Sequence, residues 1–395
     1  MSELARHVVS LRVGGQSYSQ WTEIEIARGI EQASASFTLT LLAPSAYRET
    51  DPPPVRPQSA CTVTLNGEVL ITGYADDCDG SHDASSSSWS VSGRSKTCDL
   101  VDCCEPDIPG KWTRATVLQI ARDLAAGYGI DVSADAPVGE PLPRFQVELG
   151  ETCFAAIERA ARLRQLLVTD TPTGGLLLTR TGTVKAPGTL LDGGNIKAMS
   201  VRLTGSQRYS EYVCKGQRAG DANNTAANVS SVSGTSTDSG TLRRRVLVLQ
   251  PEGRADAESC RARAEWEALA RYGKSTIVTV TMPGWQREDG TVWKVNELVR
   301  VVSARYALDA TMLIARLTFR RGVNDGTTTV LELQPPEAFT PQPIEARRKG
   351  TAKKEYSRYL LSDVEIAIRK NVSQKFGTAS KVASVVLKSV TETFR

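Results

Sequence analysis

The chain has 395 residues, 40% of them hydrophobic and 23% charged, with a formal net charge of +4. At roughly 100–200 residues per domain, that length predicts two to four domains with sizeable cores, and the composition excludes a disordered or fibrous protein. Twelve Lys/Arg against five Asp/Glu from Pro341 onward give that tail +7 and leave the rest at −3, which argues against a bulk nucleic-acid-binding protein, whose basic residues spread over a folded body.

The first segment reads as strands. VVSLRVGG alternates apolar and polar residues before Gly14-Gly15 turns the chain. TEIEIARGIEQASASFTLTLLAP holds two more alternating runs, with Ile24 and Ile26 on one face and Phe37, Leu39 and Leu41 on another. DPPPVRPQ is a Pro-rich connection. CTVTLNGEVLITGYADDC is a hairpin, with Val63 and Leu65 before a type I′ turn at Asn66-Gly67 and Val69 and Ile71 after it. WSVSGRSK adds a short strand. Residues 1–97 therefore form a first small antiparallel barrel or sandwich.

An α+β region follows, over residues 98–190. WTRATVLQIARDLAAGYGI places Val117, Ile120, Ala121 and Leu124 on one helical face, with Thr113 or Thr116 as cap and Gly127 or Gly129 as stop. LGETCFAAIERAARLRQLLV repeats the pattern, with Phe154, Ile157, Ala161 and Leu163 inward. QLLVTDTPTGGLLLTR is a hairpin turning at Pro172–Gly175.

A second β-rich region spans 191–340. KAMSVRLT, RYSEYVCKGQ and RRVLVLQ read as strands, and the polar stretch 219–241 as a mobile loop. The helix expected over 254–272 carries an i,i+4 pair, Glu267–Arg271, with Gly273 as its stop. STIVTVTMPG, LVRVVSARYAL and TMLIARLTFRRG are long alternating strands around the loop WQREDGTVWKV. Residues 341–395 are a Pro-led basic linker and tail with too little apolar surface to fold alone. DVEIAIRK is a candidate strand there, and KVASVVLKSV a strand or short helix. The predicted fold class is mainly β with an α+β insertion: two small antiparallel β-barrel domains flanking an α+β middle region, plus an extended C-terminal tail.

The search for chemistry finds no assembled set. No run approaches the roughly 18 apolar residues of a membrane span, and MSELARHVVSLRVGG lacks a signal-peptide core, so the expected compartment is the cytoplasm. The eight cysteines, Cys61, Cys78, Cys98, Cys103, Cys104, Cys153, Cys214 and Cys260, form no C-x-x-C pair and read as reduced. The Cys98/Cys103/Cys104 group lacks zinc spacing. His7 precedes the first strand, and His82 sits in the Ser-rich stretch DGSHDASSSS, read as a loop. RYGKS at 271–275 ends a helix and has Ala268 where a phosphate loop needs its first glycine. G-x-G-x-x-G after a strand, G-x-S-x-G and H-E-x-x-H are absent, so no triad or zincin is expected. Asp76, Asp77, Asp79 and Asp83 form the densest acidic patch, read as a solvated hairpin loop rather than a cation site. RRKGTAKK at 347–354 suits an acidic partner surface better than phosphates. No aromatic ladder marks a single-stranded nucleic-acid face. No catalytic, cofactor-binding or metal-ligating residue is assigned, and no cofactor.

Four stretches in order resemble a known family. VVSLRVGGQSYSQWTEIEIARGIEQASASFTLTL, with Trp21 and Phe37, resembles its first barrel strands. SGRSKTCDLVDCC at 92–104 resembles its domain junction, ETCFAAIERAARLRQLLVTDTPTGGLLLTR its middle helix and hairpin, and DGTVWKVNELVRVVSARYALDATMLIARLTFRRG its second barrel. By these stretches the chain is similar to the baseplate hub proteins of contractile-tailed, Mu-like phages, the tail protein P or late-control D-like group. The resemblance implies a structural virion protein, not an enzyme. It implies a homotrimeric ring that joins the tail tube to the central spike and forms part of the DNA exit channel, assembled in the bacterial cytoplasm. Implied partners are the spike, tail tube or distal tube proteins, baseplate wedge proteins and the tape measure protein, with no stable nucleic-acid binding and no membrane span. A weakly charged lumen would suit DNA transit, since strong phosphate binding would slow it. The rival readings are a spike-type component of a contractile secretion system, a tail-associated cell-wall hydrolase and a nucleic-acid-binding barrel.

Overall fold

Alternation in the first segment becomes β1 (Val9–Val13), β2 (Gln16–Tyr18), β3 (Glu23–Gly29), β4 (Ser36–Pro44), β5 (Ala60–Leu65), β6 (Glu68–His82) and β7 (Ser86–Ser95) in the computed structural model, which describes residues 8–44, 55–83, 86–106, 110–182, 184–217, 231–251, 256–322 and 326–342. His7, RRKGTAKK at 347–354 and the two tail segments after it lie outside the described residues. The register sets Ile24 opposite Leu39 and Ile26 opposite Phe37. The two apolar sets, read on separate strands, thus meet on one buried face. Asn66 and Gly67 both have positive φ, 50° and 88°, as a type I′ turn requires.

The stretch DGSHDASSSS is not simply a loop. β6 runs on to His82, which pairs with Ser87 of β7. Serines and aspartates are tolerated there because both faces of this end of the ribbon meet water. Asp76, Asp77 and Asp79 therefore stand on a strand. Asp76 falls at a register shift between Ala75 and Asp77, and its carboxylate accepts from Arg94 Nε at 2.6 Å.

The middle unit contains α1 (Cys98–Asp102), β8 (Lys111–Ala115), α2 (Val117–Ala126), β9 (Val132–Ala134), β10 (Leu142–Gln146), α3 (Cys153–Arg162), β11 (Leu167–Asp170) and β12 (Leu176–Thr179). Thr116 caps α2, its hydroxyl accepting from Gln119 N at 3.2 Å, and Thr152 caps α3 by accepting from Ala155 N at 3.3 Å. Thr113, the other candidate cap, is in β8. The buried side of α3 is small, comprising Cys153, Ala156, Ile157, Ala160 and Ala161. Phe154 and Leu163, expected inward, are only half-buried, packed against the edge of the middle core.

The remainder is β13 (Val184–Leu191), β14 (Ala198–Leu203), β15 (Glu211–Gln217), β16 (Ser231–Thr237), β17 (Val246–Leu249), α4 (Ala257–Lys274), β18 (Thr276–Pro283), β19 (Glu297–Ser303), β20 (Leu308–Gly322), β21 (Gly326–Gln334) and a 3₁₀ turn, Pro336–Phe339. Three readings are corrected. Of the stretch 219–241, residues 219–230 lie outside the described residues, and Ser231–Thr237 is β16, which pairs along all of β15; its low apolar content reflects one outward face and Gly234 under α4. LVRVVSARYAL is broken after Ser303, and Leu308 starts β20. Gly273 does not stop α4, which continues to Lys274 with Ser275 as its C-cap.

The strand ladders trace one continuous 13-stranded sheet, in the order β14-β18-β21-β20-β3-β4-β7-β6-β5-β1-β2, with β19 on β20 and β13 on β19. Two separate barrels were expected. The join is made by β20 and β3, with Phe319 opposite Ile26 and Leu317 opposite Arg28. One buried cluster runs through both β-rich regions, from Val9 and Leu11 to Leu331 and Leu333. The sheet is not wholly antiparallel, since β13 and β19 are parallel. β13, a strand the sequence reading missed, belongs by pairing to this sheet although it follows the middle unit directly. The middle unit keeps its own core around Ile120, Leu124, Phe145 and Ile157. Strands β16-β15-β17 form a small separate sheet with α4 on one face.

Candidate functional site

The seam between the large sheet and the middle unit is held by a buried ion pair. Arg28 on β3 donates from Nη2 to Asp170 Oδ1 at 3.0 Å, with side-chain exposures of 11% and 3%. Asp170 Oδ2 also accepts from Ala35 N at 3.2 Å, and Arg28 Nη1 donates to Leu70 O at 3.2 Å. A charge this deep is tolerated only when paired and hydrogen-bonded. The pair ties the first β region to the β11–β12 hairpin.

The second joint lies where α4 meets the 3₁₀ turn. A Cβ at Gly273 would stand 2.3 Å from Ala338 N, so only glycine lets the two backbones approach. Trp266 Nε1 donates to Thr340 O at 2.7 Å, and Thr181 Oγ1 to Phe339 O at 3.1 Å. On α4, burial works against the charge of Glu267, but hydrogen bonds from Arg263 and Arg271 outweigh it and hold the carboxyl below its ordinary range. The Glu267–Arg271 pair read from the sequence is thus one arm of a three-residue cluster. Beside the turn, half-buried Phe154, Leu163, Leu167 and Trp266 line a groove of ≈ 650 Å³, along which Thr340–Gln342 run.

Glu337, in the same turn, behaves oppositely to Glu267. Burial pushes its carboxyl above the usual range, and its Oε2 has no hydrogen-bond partner among the described residues. A raised folded pKa means that this group favours the native state below its unfolded pKa and loses that contribution as pH rises through the folded value. Glu337→Gln is therefore expected to raise the denaturation midpoint at about pH 8 and to change it little at about pH 4. Equal shifts at both pH values in denaturant titrations would contradict this.

The residues weighed for chemistry are not brought together. His82 is exposed at the end of β6. Cys61, Cys98, Cys153, Cys214 and Cys260 are buried free thiols, Cys103 is half-buried and Cys104 exposed. Burial pushes the Cys61 thiol up to about 12, which makes it a poor nucleophile. Among the described residues, no group of three or more His, Cys, Asp and Glu is placed to hold a metal ion. No described helix is long and apolar enough to cross a membrane.

What the surface does offer is apolar. Of the eleven large hydrophobics exposed among the described residues, eight lie between Val184 and Tyr272. Leu203 is 72% exposed, Leu242 86% and Val248 60%. On β17 the alternation sends Leu247 and Leu249 toward α4 and leaves Val246 and Val248 outside. This half-covered small sheet was not legible in the sequence, where RRVLVLQ reads simply as a strand.

One continuous sheet, a middle unit with its own core and a small sheet backed by α4 make up the described residues, a mainly β fold of the kind seen in phage tail proteins. Family comparisons agree. The chain matches the N-terminal domain of Mu phage baseplate assembly protein GpP-like proteins over residues 8–95, the second domain of baseplate hub protein gp44-like proteins over 97–180, and the fourth domain of Mu phage baseplate assembly protein GpP over 256–342. It is 33% identical to baseplate hub protein gp44 of Escherichia phage Mu over 352 residues, covering 87% of this chain and 92% of that protein. It belongs to this family of phage baseplate hub proteins. In fold it is similar to the 43 kDa tail protein of prophage MuSo2 from Shewanella oneidensis, with TM-score 0.76, 35% identity, and coverage of 85% of this chain and 99% of that one. The tail protein of Neisseria meningitidis MC58 shares the fold at TM-score 0.71 and 23% identity, covering 85% of this chain and 98% of that one. These relatives are described as hub, baseplate assembly and tail proteins, none as an enzyme.

Proposed function

We propose that three copies of this chain form the baseplate ring that joins the tail tube to the central spike and lines part of the DNA exit path. What supports an assembly role is membership of the hub family; eight of the eleven large hydrophobics exposed among the described residues also fall between Val184 and Tyr272, and a partner that covers them removes apolar area from water. In this reading residues 1–97 and 191–340 are two ring-forming β regions, each curved toward a barrel, residues 98–190 are the unit between them, and 341–395 reach a partner. The spike, tube or distal tube, wedge and tape measure proteins are the proposed neighbours, in a virion assembled in the host cytoplasm.

Native mass spectrometry tests this directly. A species of about 128 kDa, three copies of the 42.7 kDa chain, that gains a trimeric spike on mixing is expected. A chain that stays monomeric with spike and tube proteins present would overturn it. Deleting residues from 343 onward should leave the ring and remove spike capture, because the last described contacts of Trp266, Thr181 and Gly273 are all made before that point. Unaltered capture by the truncated chain would refute the role given to the tail.

A further inference from the structure

Three strands of the first β region carry a row of hydrogen-bond donors on their outward face. Arg12 on β1 stands opposite Thr62 on β5, and Thr62 stands opposite Thr72 on β6. Paired strands lie about 4.8 Å apart, so the three side chains follow one another at single-strand steps. Tyr74, two residues along β6, shares the face. Lys96 closes the row where the middle unit begins, its Nζ donating to Gly129 O at 2.5 Å. With Ala60, Cys61 and Gly73 these residues line a cleft of ≈ 300 Å³.

The chemistry of the lining is one-sided. It holds a guanidinium, an ammonium and three hydroxyls, and no carboxylate. The side chains of Arg12, Thr62, Thr72 and Tyr74 have no hydrogen-bond or ion-pair partner among the described residues. Asp99, the carboxylate that acts on Tyr74, stands outside the lining. A guanidinium offers a fixed fork of donors that matches an oxyanion, and hydroxyls rotate to complete the shell. Bonds between ionised partners are the strong ones. A ligand that accepts at several oxygens and carries negative charge satisfies all of these groups at once.

We propose that this cleft binds a phosphate-class oxyanion, whether free phosphate or the phosphodiester of a nucleic-acid strand. The site is independent of the ring assembly proposed above, and it adds a ligand that the assembly role does not require. The full chain is titrated by calorimetry with sodium phosphate, and separately with a short single-stranded oligonucleotide, at constant ionic strength in chloride. Phosphate is expected to bind with a Kd of about 1 mM, and Arg12→Gln to weaken it about tenfold. Arg202→Gln, which removes the same charge from an exposed position on β14, is the control and should change nothing. All these side chains point outward, so denaturation midpoints should match the parent chain. If the oligonucleotide binds in an Arg12-dependent way and phosphate displaces it, the phosphodiester is the source. The proposal is overturned if neither probe depends on Arg12, or if Arg202→Gln weakens binding equally, which would mean an adventitious ion only.

Discussion

Asp170→Asn is expected to cost about 3–5 kcal/mol, the penalty for leaving a buried charge without its partner. Arg28 would keep its two hydrogen bonds to backbone carbonyls, Leu70 O and Asp170 O, both at 3.2 Å, and lose the charged acceptor at 3.0 Å. Its Nε is already buried without a partner among the described residues, so the asparagine adds to an existing deficit. Ala35 N would also lose its carboxylate acceptor. The damage should localise to the seam, loosening the β11–β12 hairpin against β3 before the large sheet melts. Denaturant unfolding followed by fluorescence measures the total, and hydrogen exchange at Thr169–Leu176 measures the seam. The double change Arg28→Met with Asp170→Leu should recover much of the loss, because an apolar pair removes the desolvated charge altogether. A single substitution that leaves the midpoint within about 0.5 kcal/mol of the parent would show the pair to be dispensable.

Gly93→Val should destabilise by about 3 kcal/mol or more, at the upper end of overpacking. A Cβ at Gly93 would lie 2.1 Å from Tyr74 O and 2.6 Å from Phe37 Cζ. The carbonyl belongs to the neighbouring strand, so it yields only if the β6–β7 ladder opens. Phe37 is 2% exposed and sits in the shared core, so its ring has nowhere to go. Gly73 is under the same constraint from the other strand, 1.9 Å from Arg94 O. Gly322→Ala is the matched control. Nothing lies within 4 Å of a Cβ there, so its effect should stay within about 0.5 kcal/mol. Similar midpoints for the two variants would mean that the β6–β7 approach carries no strain.

Much of the architecture was readable because its causes are local. The strands of the first region follow from alternation, the β5–β6 hairpin from Asn66-Gly67, and the start of α2 from Thr116, one of the two caps read for it. Family membership was legible as a resemblance carried by four stretches in order, and the 33% identity to a phage Mu hub protein shows it. Two of the misreadings share one cause. Composition labels a polar segment as loop, but β16 and the far ends of β6 and β7 are polar because they present outward faces, and their pairing partners lie elsewhere. Gly273 reads as a helix stop until Ala338 is placed against it.

The candidate surfaces were less legible still. Phe154 and Leu163 keep the helical period of inward residues, yet they sit at the edge of the buried face of α3 and line the groove. Arg12, Thr62 and Thr72 look like ordinary outward strand residues until register aligns them.

By itself, then, the sequence determined the kinds of element, most of their apolar faces, the lack of a recognisable catalytic motif and the family. Period, turn chemistry and caps act over a few residues, and those are properties of the chain alone. Only the tertiary structure decided that the two β regions share one sheet through β20 and β3, that β13 returns to lie parallel with β19, and that Arg28 finds Asp170 across 142 residues of chain. Each of these choices depends on which distant surfaces bury each other best, and long-range burial is a balance over the whole molecule rather than a signal at any one position.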